Sequence, residues 1–512
     1  MGGTFVNPVG DLLIGDPFIL RWRGLFYLYG TNDGPPLAGG MAVPAYRSAD
    51  MVAWEPLGGV LAADDPGADH WAPEILTFGG RFYMVVSYGD VDHRGHALWV
   101  AAADRPEGPF RLKKRVSAGG EKFSIDGAYL LDDDGRLYLY RCLDFVDEAP
   151  PHGTGIVVQR MADPWSPLGE PATVLRAHAP WHLFGRDRAM GLYGGRVYPE
   201  WTTIEGPAPV KRNGRYHCGY SGGNYAGAYG TGEAVADDPM GPYADARGAA
   251  GPIFGTAPGL VEGPGHFSVV RPDGVRDWIA LHGRRPGAPG RRLWLCPAEW
   301  ADGGLRVAPP TIEPQPAPAL PRYLVLGDKI PWGWTTAADG SRWEAGAGGI
   351  RQHATGVEAA IWREEPLPAG GWVAEVYLRL PEPSPDGRAG LAIGGASGEL
   401  RVEAGAEVIR VVGADGSTAV GRRPLALAGR GPGRPRRLPA DRGPRPGGRG
   451  RGPGRRRGGR LGRGRARRRV ARRPDRAGSG GVRCGVRVRL MKGRRNPRVP
   501  AWTALRAARS TF

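Results

Sequence analysis

Short alternating or continuous apolar runs, separated by Gly, Pro, Asp and Asn, follow one another through the first 315 or so residues. Almost none of this region shows the 3.6-residue spacing of an amphipathic helix. Short apolar runs between turn-forming residues predict β-strands. The pattern therefore indicates an all-β fold.

One unit recurs five times along these residues. An apolar strand leads through a Gly-containing turn to an aromatic-rich strand, and a third strand ends at a polar corner. The aromatic strands and their turns occupy residues 23–30, 79–89, 134–141, 213–223 and 273–283. Five regularly spaced units, alike in internal order, predict a five-bladed β-propeller, in which each blade is a small antiparallel sheet around a central axis. A β-sandwich built from similar hairpins is the alternative.

The start of the strand before the Gly turn carries a distinctive residue in every unit. These residues are Asp16, Trp71, Asp126, Glu205 and His266. In a propeller they lie at the same end of the five innermost strands, and therefore at one mouth of the axial channel. Three carboxylic acids, a tryptophan and a histidine gathered there predict a functional site.

Residues 320–420 contain strand-like runs without the repeated unit. They predict a second β-domain, a sandwich of the carbohydrate-binding or jelly-roll kind. The number of strands before residue 421 is low for a closed sandwich, so we expect this domain to be incomplete. The predicted domains are thus 1–315, 320–420 and 421–512.

Residues 421–512 are dominated by Arg, Gly, Pro and Ala. They hold 31 Lys and Arg against 2 Asp and Glu, a net charge of +29, whereas residues 1–420 have a net charge of −11. Such a composition predicts a disordered tail. It is typical of an Arg/Gly-rich nucleic-acid-binding tail, and a shifted reading frame of a GC-rich gene would also encode it. We favour the frameshift because interleaved aromatic residues are missing, and we expect no nucleic-acid partner for the body.

The cysteines and the N-terminus bear on location. Cys142, Cys218, Cys296 and Cys484 show no CxxC pairing, so neither a disulfide scaffold nor a zinc site is predicted. The N-terminus lacks a signal-peptide pattern, and no apolar run is long enough to span a membrane. These features predict a cytoplasmic protein with no membrane partner. A true start upstream of residue 1 would instead allow secretion.

Four segments together resemble glycoside hydrolase family 43: residues 15–31, 70–87, 124–140 and 203–225. Members of that family are five-bladed propellers, typically β-xylosidases, α-L-arabinofuranosidases and arabinanases. The resemblance covers about residues 5–315, with the segments in the right order and spacing. Inverting hydrolysis needs one ionised and one protonated carboxyl group on opposite faces of a sugar. Opposite walls of a propeller mouth suit that arrangement.

The resemblance assigns roles to the three acids. Asp16, in the Asp-Pro motif of the first unit, matches the general base. Glu205, in Glu-Gly-Pro, matches the general acid, and Asp126 matches the residue that orients the acid and raises its pKa. Turn chemistry alone could explain each motif. Their joint presence in three units favours the catalytic interpretation.

Other positions carry weaker implications. Trp71 is either a sugar-stacking platform or blade packing. His266 matches the axial histidine of the family, which lies beside a bound Ca²⁺ or a water cluster; a buried core histidine is the alternative. Arg291 matches a substrate-binding arginine, although Arg292 makes the assignment ambiguous by one. Further polar residues near these motifs are not expected to be catalytic: Glu74, Glu200 and His282, the last predicted to cap a strand.

The resemblance implies an inverting glycosidase that releases terminal L-arabinofuranose or D-xylose from plant-type oligosaccharides, in the manner of enzymes of xylan degradation. It implies no required cofactor and allows a structural Ca²⁺. A non-catalytic glycan-binding propeller is an alternative, although it would not need three acids. Nucleic-acid binding through the tail is the weaker alternative.

Overall fold

The structure is a computed structural model. It describes residues 3–320 except 64–67, 90–94, 118–119, 248–250, 274–275 and 302–303, and beyond residue 320 it describes the backbone of eleven strands. The described helices are three 3₁₀ turns: Ala38–Gly40, Pro180–His182 and Gly191–Tyr193. None of the helices in this part of the chain is long and apolar enough to cross a membrane. The prediction of an all-β protein is confirmed.

Five four-stranded antiparallel units follow a first short strand, β1 (Thr4–Phe5). Blades 1 and 2 consist of β2 (Ile14–Trp22), β3 (Leu25–Asn32), β4 (Met41–Ser48) and β5 (Glu55–Ala62), then β6 (His70–Phe78), β7 (Arg81–Gly89), β8 (His96–Ala103) and β9 (Phe110–Arg115). Blade 3 consists of β10 (Ser124–Leu131), β11 (Leu137–Phe145), β12 (His152–Asp163) and β13 (Ser166–Arg176), and an added hairpin follows it: β14 (Leu183–Met190) and β15 (Arg196–Thr202). Blades 4 and 5 consist of β16 (Ile204–Arg212), β17 (Arg215–Gly223), β18 (Tyr229–Ala236), β19 (Ala244–Asp245) and the short β20 (Phe254–Gly255), then β21 (Glu262–Val270), β22 (Asp277–Arg284), β23 (Arg292–Ala301) and β24 (Gly304–Val307).

The five units form a closed ring around one axis. The first strands of the blades contact one another in order, from β2 through β6, β10 and β16 to β21, and β21 contacts β2 again. This closure confirms the predicted five-bladed propeller and excludes the sandwich alternative for these residues.

The apolar core lies between the blades. Five clusters of buried side chains each join two neighbouring blades. Between blades 1 and 2, for example, Tyr29 packs edge-on against Phe110. Between blades 5 and 1, Phe5 packs against Trp278. Because each blade buries both of its faces, its strands alternate less cleanly than strands with one face in water.

The N-terminal segment closes the ring. β1 pairs with β25 (Gln315–Pro316), and the Val9 amide donates to the Leu293 carbonyl. The Asn7 side chain forms two bonds with the backbone of Leu295, donating to its carbonyl and accepting from its amide. Blade 5 is thereby fastened to the residues that lead into blade 1.

The added hairpin was not predicted from the sequence. β14 and β15 lie between blades 3 and 4, and β15 pairs in parallel with β12 at His152 and Gly153. The repeated unit gives no signal for it, because the hairpin follows the outermost strand of blade 3 and precedes the next inner strand.

Beyond residue 320 the backbone forms further strands, at residues 335–336, 342–346, 349–353, 359–364, 375–380, 389–395, 398–404, 408–412, 418–422, 485–490 and 501–506. In chain order these are β26 to β36. Seven of them form one sheet in the order β26, β29, β35, β31, β32, β33, β34. The remaining four form the pairs β27–β28 and β30–β36. The division of the chain into a second, incomplete β-domain at 320–420 stays a prediction.

Two of these strands, Gly485–Leu490 and Ala501–Arg506, belong to the predicted disordered tail. Gly485–Leu490 pairs with strands on both of its sides, Ala359–Glu364 and Ala389–Gly395. The prediction of a tail without regular structure is therefore wrong for these twelve residues. The local sequence explains the strand Gly485–Leu490: the run Gly-Val-Arg-Val-Arg-Leu alternates apolar and charged residues with the period of a strand. Apart from Gly421 and Arg422, which end β34, the rest of the predicted tail lies outside the described residues.

Candidate active site

Each of the five innermost strands has a β-bulge at its mouth end, where its pairing with the second strand of the blade slips. The residue at the bulge has a positive φ in every blade: 49° at Asp16, 45° at Ala72, 55° at Asp126, 58° at Gly206 and 44° at His266. Four of these residues carry a side chain, for which this conformation is costly. Bulges redirect side chains. Here they turn Asp16, Asp126 and His266 toward the mouth of the channel.

The amide of each bulged residue donates a hydrogen bond to a side chain of the preceding blade. The pairs are Ala72 to Thr31 Oγ1 at 2.9 Å, Asp126 to Ser87 Oγ at 2.9 Å, Gly206 to Asp126 Oδ2 at 3.0 Å, His266 to Ser221 Oγ at 2.7 Å, and Asp16 to His282 Nδ1 at 3.0 Å. These five bonds run around the ring and hold the strained bulges in place. The mouth is therefore shaped before any ligand arrives.

Asp16 is buried and held by several donors. Arg291 Nη1 lies 2.9 Å from its Oδ1 and 3.0 Å from its Oδ2, and Thr31 Oγ1 donates to Oδ2 at 2.5 Å. A side chain on Gly15 would collide with the Arg291 guanidinium, so only glycine there lets the arginine reach the carboxylate. Burial opposes ionisation, but the charge of Arg291 outweighs it and holds the pKa of Asp16 well below its ordinary value.

Arg291 is itself fixed from the other side by Asp33. Nη2 of Arg291 lies 2.7 Å from Asp33 Oδ1, and its Nε lies 3.0 Å from Asp33 Oδ2. The neighbouring Arg292 turns away and binds the exposed Asp11 at 2.9 Å. The structure thus brings Arg291, and not Arg292, to the predicted site, where it bridges two carboxylates.

Glu205 has the opposite electrostatic environment. It is partly buried, and its nearest donor is the Tyr229 hydroxyl, 2.8 Å from Oε1. Desolvation raises its pKa to about 7, with a further contribution from the charge of Asp16, while Tyr229 and Arg291 oppose the rise. Near neutral pH this carboxyl group can therefore carry a proton that Asp16 cannot.

Asp126 lies beside Glu205. Its Oδ2 accepts the amide of Gly206, the residue next to Glu205. Burial, together with the charges of Glu205 and Asp16, raises the pKa of Asp126 well above its ordinary value, and the Gly206 amide opposes this rise. Gly206 itself packs on His266: a Cβ there would lie 3.0 Å from the His266 ring, and its φ of 58° also favours glycine.

His266 stands between two of the acids. Its Nδ1 lies 3.3 Å from Asp16 Oδ1 and 3.8 Å from Asp126 Oδ2. Burial lowers the pKa of His266, so the ring is neutral near pH 7. No three His, Cys, Asp or Glu side chains in the described ranges are arranged to hold a metal ion. The Ca²⁺ predicted beside His266 stays a prediction.

Trp71 also lies at a mouth position. It is partly exposed and stacks on His96, with ring centroids 3.9 Å apart and planes 25° apart. One face of the indole is thus occupied by the histidine. Its predicted role as a sugar platform stays a prediction.

The two acids that were expected not to be catalytic lie in other surroundings. Burial raises the pKa of Glu74 well above its ordinary value. Glu200 lies on β15, in the added hairpin, where it forms an exposed ion pair with Arg186.

Sequence reasoning missed several residues that shape the site. His282 was predicted to cap a strand, but it lies inside β22 and accepts the Asp16 amide. Its ring is also stacked with Tyr229, with planes 5° apart. Burial lowers the pKa of His282 to about 4, so the ring stays neutral and Nδ1 can accept the hydrogen bond from the Asp16 amide. The sequence analysis gave no role to Tyr229, the first residue of β18, or to Thr31, the last residue but one of β3.

Comparisons with known proteins point to one family. The family model described as Glycosyl hydrolases family 43 matches residues 5–305. An extracellular exo-α-(1→5)-L-arabinofuranosidase of Streptomyces avermitilis is 24% identical over 328 residues, which are 59% of this chain and 62% of that protein. A protein of the same name from Streptomyces chartreusis is 26% identical over 247 residues, 46% of this chain and 68% of its own. The crystal structure of a thermostable family-43 glycoside hydrolase is 30% identical, with a TM-score of 0.53, and the match covers 62% of this chain and 99% of that one.

These comparisons correct the predicted location. Both Streptomyces relatives are named extracellular, as is an endo-α-(1→5)-L-arabinanase of Thermotoga petrophila that is 22% identical over 270 residues. The prediction of a cytoplasmic protein is therefore wrong. That prediction was based on the first residues of this chain, and these residues do not establish where the protein is located.

The ion pair at the mouth leads to a stability prediction. We expect Arg291→Gln to destabilise the protein by about 3–5 kcal/mol at pH 7, because it leaves Asp16 buried without its cation. Asp16 has a depressed pKa in the folded state, so its stabilising contribution is present above its unfolded pKa and lost as the pH falls through the folded value. The difference between variant and wild type should thus shrink below about pH 4.

Urea unfolding at pH 7 and pH 3 measures this difference. The matched control is Arg292→Gln, which should cost far less because its partner Asp11 is exposed. Equal losses in the two variants, or a loss at Arg291 that does not depend on pH, would show that Asp16 is not held ionised by this arginine.

Proposed function

This chain belongs to glycoside hydrolase family 43, and we propose that it releases terminal L-arabinofuranose or D-xylose from plant-type oligosaccharides by an inverting reaction. One observation carries the proposal. Two carboxyl groups at one propeller mouth have opposite electrostatic environments: Arg291 holds Asp16 ionised, while desolvation keeps a proton on Glu205 near neutral pH. A base and an acid are thus available together at the same pH.

In the proposed reaction, the Asp16 carboxylate accepts a proton from a water molecule as the water oxygen bonds to the anomeric carbon. The Glu205 carboxyl group gives its proton to the glycosidic oxygen as the bond from that oxygen to the anomeric carbon breaks. The attacking water and the leaving oxygen lie on opposite faces of the sugar, so the configuration inverts. Asp16 ends protonated and Glu205 ionised, and exchange with solvent restores both.

The neighbouring residues prepare these two groups. Arg291, fixed by Asp33, keeps the base charged. His282 holds the amide of the bulge on which Asp16 sits. Tyr229 orients the acid through its hydroxyl, and Asp126 holds the adjacent peptide of Gly206. Each of these groups comes from a different strand or loop, and the closed ring brings them to one place.

The names of the relatives support the substrate class. The two Streptomyces relatives are named exo-α-(1→5)-L-arabinofuranosidases, which supports the release of terminal arabinose and action outside the cell. We assign Trp71 a stacking role against a bound sugar, because its indole lies at the mouth and is partly exposed. We retain Arg291 as a substrate-contacting residue in addition to its contact with the base.

Replacing the acid and the base tests the proposed roles. We expect Asp16→Asn and Glu205→Gln each to lower kcat by about 10²–10⁴-fold on a xylo- or arabino-oligosaccharide, because each removes one proton transfer. Both substitutions preserve size, so the folded state should persist. Glu74→Gln is the matched control, since this acid is partly buried on an innermost strand, as Glu205 is, but has no proposed part in the reaction. Its kcat should stay within about threefold of wild type.

The measurement is steady-state kinetics on purified variants, with circular dichroism to confirm folding. Near-normal turnover in Asp16→Asn or Glu205→Gln would disprove the assignment of that residue. A loss in Glu74→Gln as large as in the other two would mean that the acids act through stability and not through proton transfer.

The stereochemistry provides an independent test. We expect proton NMR, recorded during the first minutes of hydrolysis, to show a first-formed sugar whose anomeric configuration is opposite to that of the substrate. An inverting pair leaves room for water between its carboxyl groups, about 6.5–9.5 Å apart. Retention of configuration, or a covalent glycosyl-enzyme trapped by a slow substrate, would contradict the mechanism.

A further inference from the structure

The bulge at each mouth position faces an equivalent residue on the second strand of its own blade. In each blade, the residue just before the bulge pairs with one residue of the second strand. These five partners are Thr31, Ser87, Cys142, Ser221 and His282. Four of them accept the amide of the bulged residue in the next blade around the ring. Each of the four presents an oxygen or a ring nitrogen, which are good acceptors.

Cys142 is the exception. By the same rule it should accept the amide of Gly206, but that amide donates to Asp126 Oδ2 at 3.0 Å. The buried Cys142 thiol lies 3.6 Å from the Ile204 carbonyl and 4.0 Å from the same Asp126 oxygen. Sulfur is a weak acceptor. The one break in the symmetry thus coincides with the place where Asp126 reaches the peptide that carries Glu205.

We propose that Cys142 is a positioning residue for the general acid: its thiol competes weakly for the Gly206 amide and so leaves that amide to Asp126. A hydroxyl at this position would bind the amide as Ser87 and Ser221 do, and Asp126 would lose its tie to the 205–206 peptide. The proposal rests on the proposed function for the role of Glu205. It adds a reason for a cysteine where the other blades have Thr, Ser or His.

The groups around Asp126 and Glu205 determine how the loss of the Asp126–Gly206 hydrogen bond can be measured. Asp16 on β2 and Glu74 on β6 oppose ionisation of Asp126, and the Gly206 amide favours it. Desolvation and Asp16 raise the pKa of Glu205, while Tyr229 and Arg291 lower it. His266, from β21, faces both Asp16 and Asp126 and is neutral. The interaction between two charges is mutual, so a negative charge on Asp126 opposes ionisation of Glu205.

The test compares Cys142→Ser with Cys142→Ala. In the serine variant the hydroxyl takes the Gly206 amide, Asp126 is protonated more readily, and the pKa of Glu205 falls. The alkaline limb of the kcat profile should then move to lower pH by about half a unit or more, with KM within about twofold of wild type. In the alanine variant no acceptor is added, so the alkaline limb should stay within about 0.2 pH units of wild type.

Cys296→Ser is the matched control, because Cys296 is buried in the apolar cluster between blades 4 and 5. It should leave the alkaline limb in place even if it lowers stability. A wild-type profile in Cys142→Ser, or equal shifts in the serine and alanine variants, would overturn the proposal.

Failure of the proposed function has a different signature. In that case wild type itself would show no glycosidase activity, or its alkaline limb would persist in Glu205→Gln. A crystal structure of Cys142→Ser gives a readout that needs no activity: the introduced hydroxyl oxygen should lie within about 3.2 Å of the Gly206 nitrogen. An Asp126–Gly206 bond unchanged in that structure would also overturn the proposal.

Discussion

The buried ion pair between Asp16 and Arg291 is the interaction on which the rest of the site depends. It joins the first blade to the loop before the third strand of the fifth, so the same contact spans the ring closure and sets the charge of the proposed base. It exists because Gly15 leaves room for the guanidinium and Asp33 fixes the arginine from behind. Burying a charge is costly unless it is paired. Here two carboxylates, Asp16 and Asp33, surround the Arg291 cation and offset that cost. As a result, Asp16 stays ionised at a channel mouth where desolvation raises the pKa of Glu205.

The second constraint is the ring of bulges. A propeller repeats one strand five times, and the bulge repeats with it, so five bulged residues, four of them strained, point their side chains or amides into one space. The bonds from each bulge amide to the preceding blade keep that strain in place. The functional groups lie where the residue type departs from the repeat. Asp16 and Asp126 place carboxylates at two bulges, and Cys142 places a thiol where a better acceptor would bind the Gly206 amide. A symmetrical scaffold thus carries an asymmetrical site.

The sequence was sufficient for the elements that repeat and insufficient for those that do not. Because the repeat has a fixed internal order, it predicted the propeller and the convergence of Asp16, Asp126 and His266. In the structure His266 Nδ1 lies 3.3 Å from Asp16 Oδ1 and 3.8 Å from Asp126 Oδ2. It could not identify Tyr229 or His282, because their roles come from contacts with residues on other strands and not from any local pattern. The hairpin after blade 3 and the two strands of the basic tail fell outside the repeat. The location was wrong because it was inferred from the first residues alone.

The division of labour between Asp16 and Glu205 is the central claim, and leaving-group dependence tests it most directly. The measurement is kcat/KM for a dinitrophenyl pentoside, whose leaving group needs no proton, against an unactivated pentose disaccharide, whose leaving group does. We expect Glu205→Gln to lose about 10²-fold or more on the disaccharide but less than about tenfold on the dinitrophenyl substrate, whereas Asp16→Asn is slow on both. Equal losses on the two substrates in Glu205→Gln, or a loss confined to the disaccharide in Asp16→Asn, would contradict the account.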